Sequence, residues 1–451
     1  MDKIHEPARS TPVRAEVDVL VIGGGAAGIA AAVAAARSGA SVMLADRYGF
    51  LGGTLSAVTL GSICGLYTVD GEDYFPTVGG FAAEFVDRLK AIDAARDPVR
   101  WLQAATVPYD SAGVRLVADD VAEACGVTVA LHALLCDVVV EGDRLAAAVF
   151  QGRDGRWAVR ARAFVDGSGD GDVAALAGVS FELDLASLQF PTTMFRLGGV
   201  DTTAVSRLKR PELHAALENA VRAGFDLPRT AGGIFPGRDG TAHLNITRVD
   251  IEGRSPNVLD TVELSAAERS GRRQVQEYIA ALRGHVPGFA GAYLLDFGTQ
   301  IGIRESRRIV GRHRLTSADV LSLARFDDAI ARCSWPIEEH GTDRATRWVW
   351  LPDGGWYDIP LGALLPATGP RNLVVAGRCA SADHEAQASL RVAAQCFAMG
   401  EAAGIVAAMS LEVGGKVESV PPRNVRDELL SRGGLLEGPG AGKRQERAQS
   451  G

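Results

Sequence analysis

The stretch Val17–Asp46, VDVLVIGGGAAGIAAAVAAARSGASVMLAD, decides the fold. Val17–Ile22 is an apolar, β-branched run of strand length. Ala26–Ser38 is alanine-rich and stops at Gly39, as a helix does, and Ser41–Ala45 is a second apolar strand. Together they make a β-α-β unit. Gly23, Gly25 and Gly28 place G-x-G-x-x-G at the strand-to-helix turn, and Asp46 closes the second strand. The first glycine allows the tight turn, the second lets backbone approach a pyrophosphate, and the third lets helix pack on strand. The helix start at Ala26 and Ala27 then offers free N–H groups and the positive dipole end to an anion. Asp46 stands where a carboxylate accepts from a ribose hydroxyl. The glycines also argue against a membrane span over uncharged Val19–Ala36, because they fall where the β-branched half gives way to the alanine-rich half.

Outward from this unit, Arg47–Thr54 (RYGFLGGT) carries a glycine pair that lets backbone run close beside a flat ring system. Gly126–Glu141 and Leu145–Val149 read as strands, and Ala161–Asp170 reads as a strand followed by a glycine turn. Asn372–Arg378 is a last buried strand, and Ser389–Ser410 is a long alanine-rich helix. Strand-to-glycine units this far apart imply one domain assembled from discontinuous pieces. The intervening stretch mixes strands with a helix over Glu263–Arg283 that stops near Gly284 and Pro287.

Composition bounds the function. The chain of 451 residues is 47% hydrophobic and 23% charged, with 53 glycines and 19 prolines, as expected of a compact α/β protein with many turns. A net charge of -8 gives no general attraction for nucleic acid or anionic lipid, so neither is expected as a partner. None of the six cysteines lies at C-x-x-C spacing, which excludes an adjacent redox dithiol and the common zinc clusters, and no metal is expected. Free thiols suit a cytoplasmic location. No second glycine motif occurs in a strand-helix context, so no dedicated nicotinamide domain is expected.

With these motifs in place, the chain resembles the FAD-dependent oxidoreductases of the glutathione reductase and fumarate reductase superfamily. The matching segments are Val17–Thr54, Phe164–Val179, Phe190–Val200, Gly302–Leu315, Phe326–Gly341 and Asn372–Gly404. The resemblance implies a Rossmann-like FAD-binding domain of glutathione reductase type with an inserted α+β substrate domain. Its expected divisions are an arm over 1–16, FAD-binding parts over 17–178 and 366–412, the substrate domain over 179–365, a helical cap over 413–436 and a disordered tail over 437–451. It also implies that Gly23, Gly25, Gly28, Asp46 and Arg47 hold the adenosine and pyrophosphate, and that Gly53 and Thr54 lie beside the isoalloxazine. By the same resemblance Leu135 flanks the adenine, Gly169 and Asp170 sit at the pyrophosphate and ribityl chain, and Gly377, Arg378 and Arg391 close over the flavin. The helix beginning near Ser389 would stabilise negative charge on reduced flavin with its N-terminus. No histidine or cysteine lies in Leu51–Thr54, so noncovalent FAD is expected, with Cys64 a packing residue.

Without a redox dithiol, the flavin must exchange electrons with substrate, with oxygen or with a separate carrier. A dehydrogenase needs a base as hydride leaves, and His384 and then His340, which match histidines of the family pattern, are the candidates. Each is equally explained as a satisfied core histidine. Arg304, Arg307 and Arg308 would share one helix face and suit a carboxylate-bearing substrate, with Arg304 pointing inward, although salt bridges to Glu305 and other acids explain them as well. Trp335, Trp348, Trp350, Trp356 and Tyr357 would line a pocket or fill the core. The expected function is hydride transfer between flavin N5 and a small or medium organic substrate at a C–C, C–N or C–O bond. A flavin monooxygenase reduced by an external partner and a non-catalytic flavin-binding scaffold are the alternatives.

Overall fold

The computed structural model describes residues 3–238, 240–341 and 346–437. Apart from Glu437, the expected tail lies outside them. A seven-stranded sheet organises the molecule. Its strands are β1 (Val13–Ile22), β2 (Val42–Ala45), β3 (Thr128–Ala130), β4 (Leu134–Glu141), β5 (Arg144–Gly152), β6 (Gly155–Asp166) and β7 (Leu373–Val375). β3, β2, β1 and β6 lie side by side in parallel. The first half of β6 pairs antiparallel with β5, while its last three residues pair in parallel with β7. The register aligns Ile22 with Ala45 and with Asp166, and Asp166 with Val375. Gly23, Asp46, Gly167 and Ala376 therefore follow the carboxyl ends of four neighbouring strands, the edge of an open parallel sheet where ligands bind.

β1 starts at Val13, inside the expected arm, because residues 13–16 pair with β6 and Glu16 meets Arg160 at 3.1 Å. The expected single strand over Gly126–Glu141 is two. The N–H groups of His132 and Ala133 go to the carbonyls of Tyr48 and Asp46, which turns the chain out of the parallel edge before the β4–β5 hairpin begins. The helix expected from Ser389 starts instead at Ala393. Ser389 belongs to a short helix, His384–Leu390, whose Ser389 Oγ donates to the Trp335 carbonyl, and Arg391 and Val392 form the break.

Helix α1 (Ala26–Arg37) and helix α2 (Ala393–Ser410) pack at backbone contact. A Cβ on Gly400 would lie 2.0 Å from the Ala27 carbonyl oxygen, and one on Gly404 2.2 Å from that of Ala31. Together with the turn that follows it, α2 is long and apolar enough to cross a membrane, but it is buried on nearly every face in the central core, which accounts for its lack of a polar side.

Residues 195–292 hold a core of their own, with Phe195, Leu244, Tyr278 and Leu282 at its centre. It lies under an antiparallel sheet ordered Gly233–Pro236, Ala242–Asn245, Phe195–Gly198, Tyr293–Phe297. The helix there runs Thr261–His285, capped by Asp260, whose carboxylate accepts from the N–H groups of Val262 and Glu263. Residues 315–365 instead contribute Ile330, Trp335, Tyr357 and Leu364 to the core that contains α1 and α2. A third sheet, built from Ser62–Asp70, Asp73–Pro76, Val99–Trp101 and Ala104–Pro108, was not foreseen and carries Trp101 and Cys64 to the same side.

Candidate active site

A continuous cleft runs from the carboxyl edge of the sheet to the antiparallel sheet of residues 195–297. Its first half is backbone. Gly23 has φ +95°, and a Cβ there would sit 2.5 Å from the Gly167 carbonyl oxygen. Gly53, at φ +49°, crosses directly over Gly25, where a Cβ would come within 2.6 Å of Gly25 Cα. α1 begins behind Gly25 with no side-chain cap and no acid in its first turn, which leaves its leading N–H groups for a ligand. Asp46 accepts from the N–H groups of Gly24 and Tyr48, and burial pushes its carboxyl up from the ordinary range.

The sequence-derived cofactor residues Gly23, Gly25, Ala26, Ala27, Asp46 and Arg47 line this cleft. So do Gly53, Thr54, Leu135, Gly169, Gly377, Arg378 and Arg391. Gly28 and Asp170 do not. Gly28 is a packing residue, since a Cβ there would fall 1.7 Å from the Gly23 carbonyl oxygen. Asp170 lies beneath the wall, where its Oδ1 accepts from Arg378 Nη2 at 2.9 Å and from Ser306 Oγ at 2.7 Å. Burial alone would raise the Asp170 carboxyl, but Arg378, Ser306 and Arg47 outweigh it and hold it below the ordinary range. Asp170 thus positions Arg378. Sequence reasoning missed Tyr48, Ser168, Val392 and Ala393 on the wall. The last two follow from the late start of α2, whose N-terminus opens on the cleft without a side-chain cap or an acid in its first turn.

The donors left over fit a flavin dinucleotide. Arg378 Nη1 and Arg391 Nε are buried with no partner among the described residues, and two uncapped helix N-termini face the same space. Pyrophosphate oxygens and the electron-rich edge of an isoalloxazine are the acceptors such donors require.

The far half of the cleft is made of side chains. Ile337–Glu339 pairs as a strand with Arg347–Val349, and this hairpin presents Trp335, Glu338, His340 and Trp348. Glu338 accepts from Trp335 Nε1 at 3.1 Å and bonds His340 Nε2 at 3.0 Å. On the other ring face of that network, His340 Nδ1 lies 3.2 Å from Thr346 Oγ1, which accepts from Arg229 Nη2 at 3.0 Å. An ionised Glu338 can only accept, so Nε2 carries the imidazole hydrogen and the Thr346 hydroxyl donates to Nδ1. Burial and the nearby Arg304 push His340 well below the ordinary histidine range. Burial opposes the charge of Glu338 too, but His340, which hydrogen-bonds it, and then Arg391 and Arg304 beside it hold its carboxyl below the ordinary range.

His384 sits apart from the cleft wall. Its Nδ1 lies 2.9 Å from Glu305 Oε2 and its Nε2 3.5 Å from Glu339, and the bond to Glu305 raises its pKa. The helix expected around Arg304 is absent, because residues 303–307 are irregular and Arg308–Ile309 pair with Phe181–Glu182. Arg304 does point inward and lines the cleft. Arg307 is tied to Asp172 at 2.9 Å, and Arg308 to Glu305 and the Ala382 carbonyl. Of the aromatic group, Trp335 and Trp348 reach the cleft and are joined by Trp101, which lies with its ring 5.4 Å from Trp348. Trp350 stacks behind Trp348, Trp356 lies under Arg325 and Arg332, and Tyr357 is buried in the core.

This chain belongs to the FAD-dependent oxidoreductase family: the family profile, described as FAD dependent oxidoreductase, matches residues 18–429. FAD is accordingly its cofactor, and it is an enzyme of oxidoreductase type. Among curated proteins it is similar to the sarcosine oxidase alpha subunits of Corynebacterium sp. strains U-96 and P-1, at 38% and 37% identity over 113 residues. That match covers 25% of this chain and 10% of each subunit, so the chain spans about a tenth of the length of these relatives. Among solved structures it is similar to the p-nitrophenol 4-monooxygenase PnpA of Pseudomonas putida DLL-E4, with TM-score 0.49, 11% identity and coverage of 93% and 85% of the two chains. It is similar also to a geranylgeranyl bacteriochlorophyll reductase-like protein of Thermoplasma acidophilum, with TM-score 0.47, 13% identity and coverage of 93% and 84%. Likeness at this level carries no argument about the reaction.

Proposed function

We propose that the enzyme transfers a hydride between N5 of bound FAD and a small or medium organic substrate, at a C–C, C–N or C–O bond, while His340 handles the accompanying proton. The observation that carries this reading is the Thr346–His340–Glu338 relay on the cleft wall. A neutral imidazole held by an ionised carboxylate accepts a proton at Nδ1 once Thr346 turns away, and Glu338 then stabilises the imidazolium. His384, the first expectation from the sequence, serves in this reading as a positioning residue for Glu305, whose Oε2 accepts the N–H of Gln189. Gln189 in turn accepts from Arg391 at 3.1 Å.

The same reading keeps FAD noncovalent. Cys64 and Cys396 line the cleft, and burial pushes both thiols up, away from the thiolate that attachment requires.

The test is the visible spectrum of purified protein before and after denaturation, followed by anaerobic titration with NADH and NADPH. Release of free FAD, with neither nicotinamide bleaching the bound flavin, supports substrate-driven hydride transfer. Rapid bleaching by NADH or NADPH overturns the substrate-driven reading in favour of a monooxygenase or a nicotinamide-dependent reductase, and flavin that stays with the denatured chain overturns the noncovalent assignment.

A further inference from the structure

Arg229 and Arg304 are only 7% and 6% exposed and both line the far half of the cleft. Neither forms a salt bridge among the described residues. Arg229 donates to Thr346 and Arg304 to the Phe190 carbonyl and, at 3.4 Å, to Asn245 Oδ1. The acid whose field reaches them, Glu338, already serves His340 and Trp335, and Arg391 draws on it as well. The two guanidiniums meet again at a recess off the main cleft, beside Arg248, His340 and Thr346. Taking a guanidinium out of water without an anion is costly, and a fold that does so twice in one place leaves the charge for a ligand to balance. Burial lowers the basicity of both, Arg304 the more strongly because Arg391 and Arg229 also repel its charge, and the field of Glu338 offsets this only in part. A further cation, Arg210, lines the main cleft and lies over the Trp101 ring at 5.4 Å.

We propose that this end of the cleft is an anion subsite, in which Arg229 and Arg304 grip a carboxylate of the substrate while its planar apolar body lies against Trp101 and Trp348. Two guanidinium forks match the in-plane lone pairs of a carboxylate, and indole faces take a flat ring by stacking. The substrate class is a ring-bearing organic acid. The inference deepens the hydride-transfer reading, because it places the acid in the cleft half that holds His340.

Benzoate, its neutral isostere benzamide and inorganic phosphate are the probes, titrated into the holoenzyme while the flavin spectrum and the heat of binding are recorded. Benzoate is expected to bind and to shift the flavin bands, with benzamide and phosphate each at least tenfold weaker. Arg229→Met and Arg304→Met are expected to lose at least tenfold in benzoate affinity while keeping FAD. Without ligand they should melt no lower than the parent, since each removes a buried charge that no salt bridge holds among the described residues, whereas a purely structural arginine would cost melting temperature. Should either variant fail to fold, Arg210→Ala and Trp101→Leu carry the test, the first weakening benzoate alone and the second weakening benzoate and benzamide together. Equal binding of benzoate and benzamide, no binding of benzoate, or unchanged benzoate affinity in the arginine variants overturns the subsite. Phosphate binding as tightly as benzoate overturns the organic-acid assignment. Flavin behaviour is scored separately: bleaching by NADPH sinks the substrate-driven reading, while the heat of benzoate binding still decides the subsite.

Discussion

At the sheet edge the ligand meets backbone: Gly23, Gly25 and Gly53 bring main chain together, and the leading N–H groups of α1 face outward. At the far end it meets side chains carried by distant segments, Trp101, Arg210, Arg229, Arg304 and the Ile337–Glu339 hairpin. The contrast matches what each end must recognise. A dinucleotide is invariant, so rigid peptide groups at fixed spacing suffice, and little room is left for change. A substrate pocket has to be specific, and side chains on separate loops can be exchanged one at a time without disturbing the sheet.

Substitutions at the two ends should therefore fail in different ways. The largest effect is expected from Gly28→Val, whose side chain would have to displace the Gly23 carbonyl; flavin content, read as the ratio of visible to ultraviolet absorbance, should fall more than a hundredfold or the protein should not fold. Next, His340→Gln should keep full flavin content but lose roughly a hundredfold or more in turnover, the usual size of a general-base contribution. If flavin and turnover fell together, the separation of the two ends would be broken. Asp170→Asn probes the border. Breaking the buried pair with Arg378 should destabilise the fold by roughly 3 kcal/mol and weaken FAD binding, both visible in a thermal melt with and without added FAD.

Two smaller effects sharpen the comparison through pH. The pKa of His384 is raised by Glu305, so its ion pair stabilises the fold fully below the unfolded histidine value of about 6.5 and is lost as pH rises through the raised folded value. His384→Gln should therefore lower the melting temperature more at pH 5.5 than at pH 9. His340 has the opposite sign: its folded pKa is depressed, so it lowers stability as pH falls below about 6.5, and His340→Gln should lose part of that acid sensitivity. The least effect is expected from Arg347→Ala, which removes half-exposed pairs with Glu339 and Glu385 and should change stability by no more than about 1 kcal/mol.

The same contrast governs what could be read before the fold was known. Gly23, Gly25, Gly28 and Asp46 act through local spacing, so a short window contains their whole meaning. Arg229 and Trp101 lie in windows that look like any loop and any edge strand, and only tertiary packing brings them together. Arg304 was singled out through a helix that does not exist: arginines at that spacing share a helix face only if the chain coils, and here the segment is irregular. The start of α2 was misplaced because Ser389–Val392 carries no glycine or proline to mark a stop, and the break follows from how Arg391 and Ser389 are held. His384 and His340 were both visible as histidines. What ranks them is the wall each one stands behind.

The contact of Gly400 and Gly404 with Ala27 and Ala31 also sets an order in time. The first glycine turn is made early in synthesis, yet half of the charge-stabilising apparatus, the α2 N-terminus, arrives only after hundreds of further residues. A ribosome-bound chain that has not reached Gly404 has nothing to brace α1 from behind, and contacts this far apart in sequence are slow to close. Cofactor capture thus waits until the chain has been made as far as Gly404, and nascent chains stalled before that point should emerge colourless.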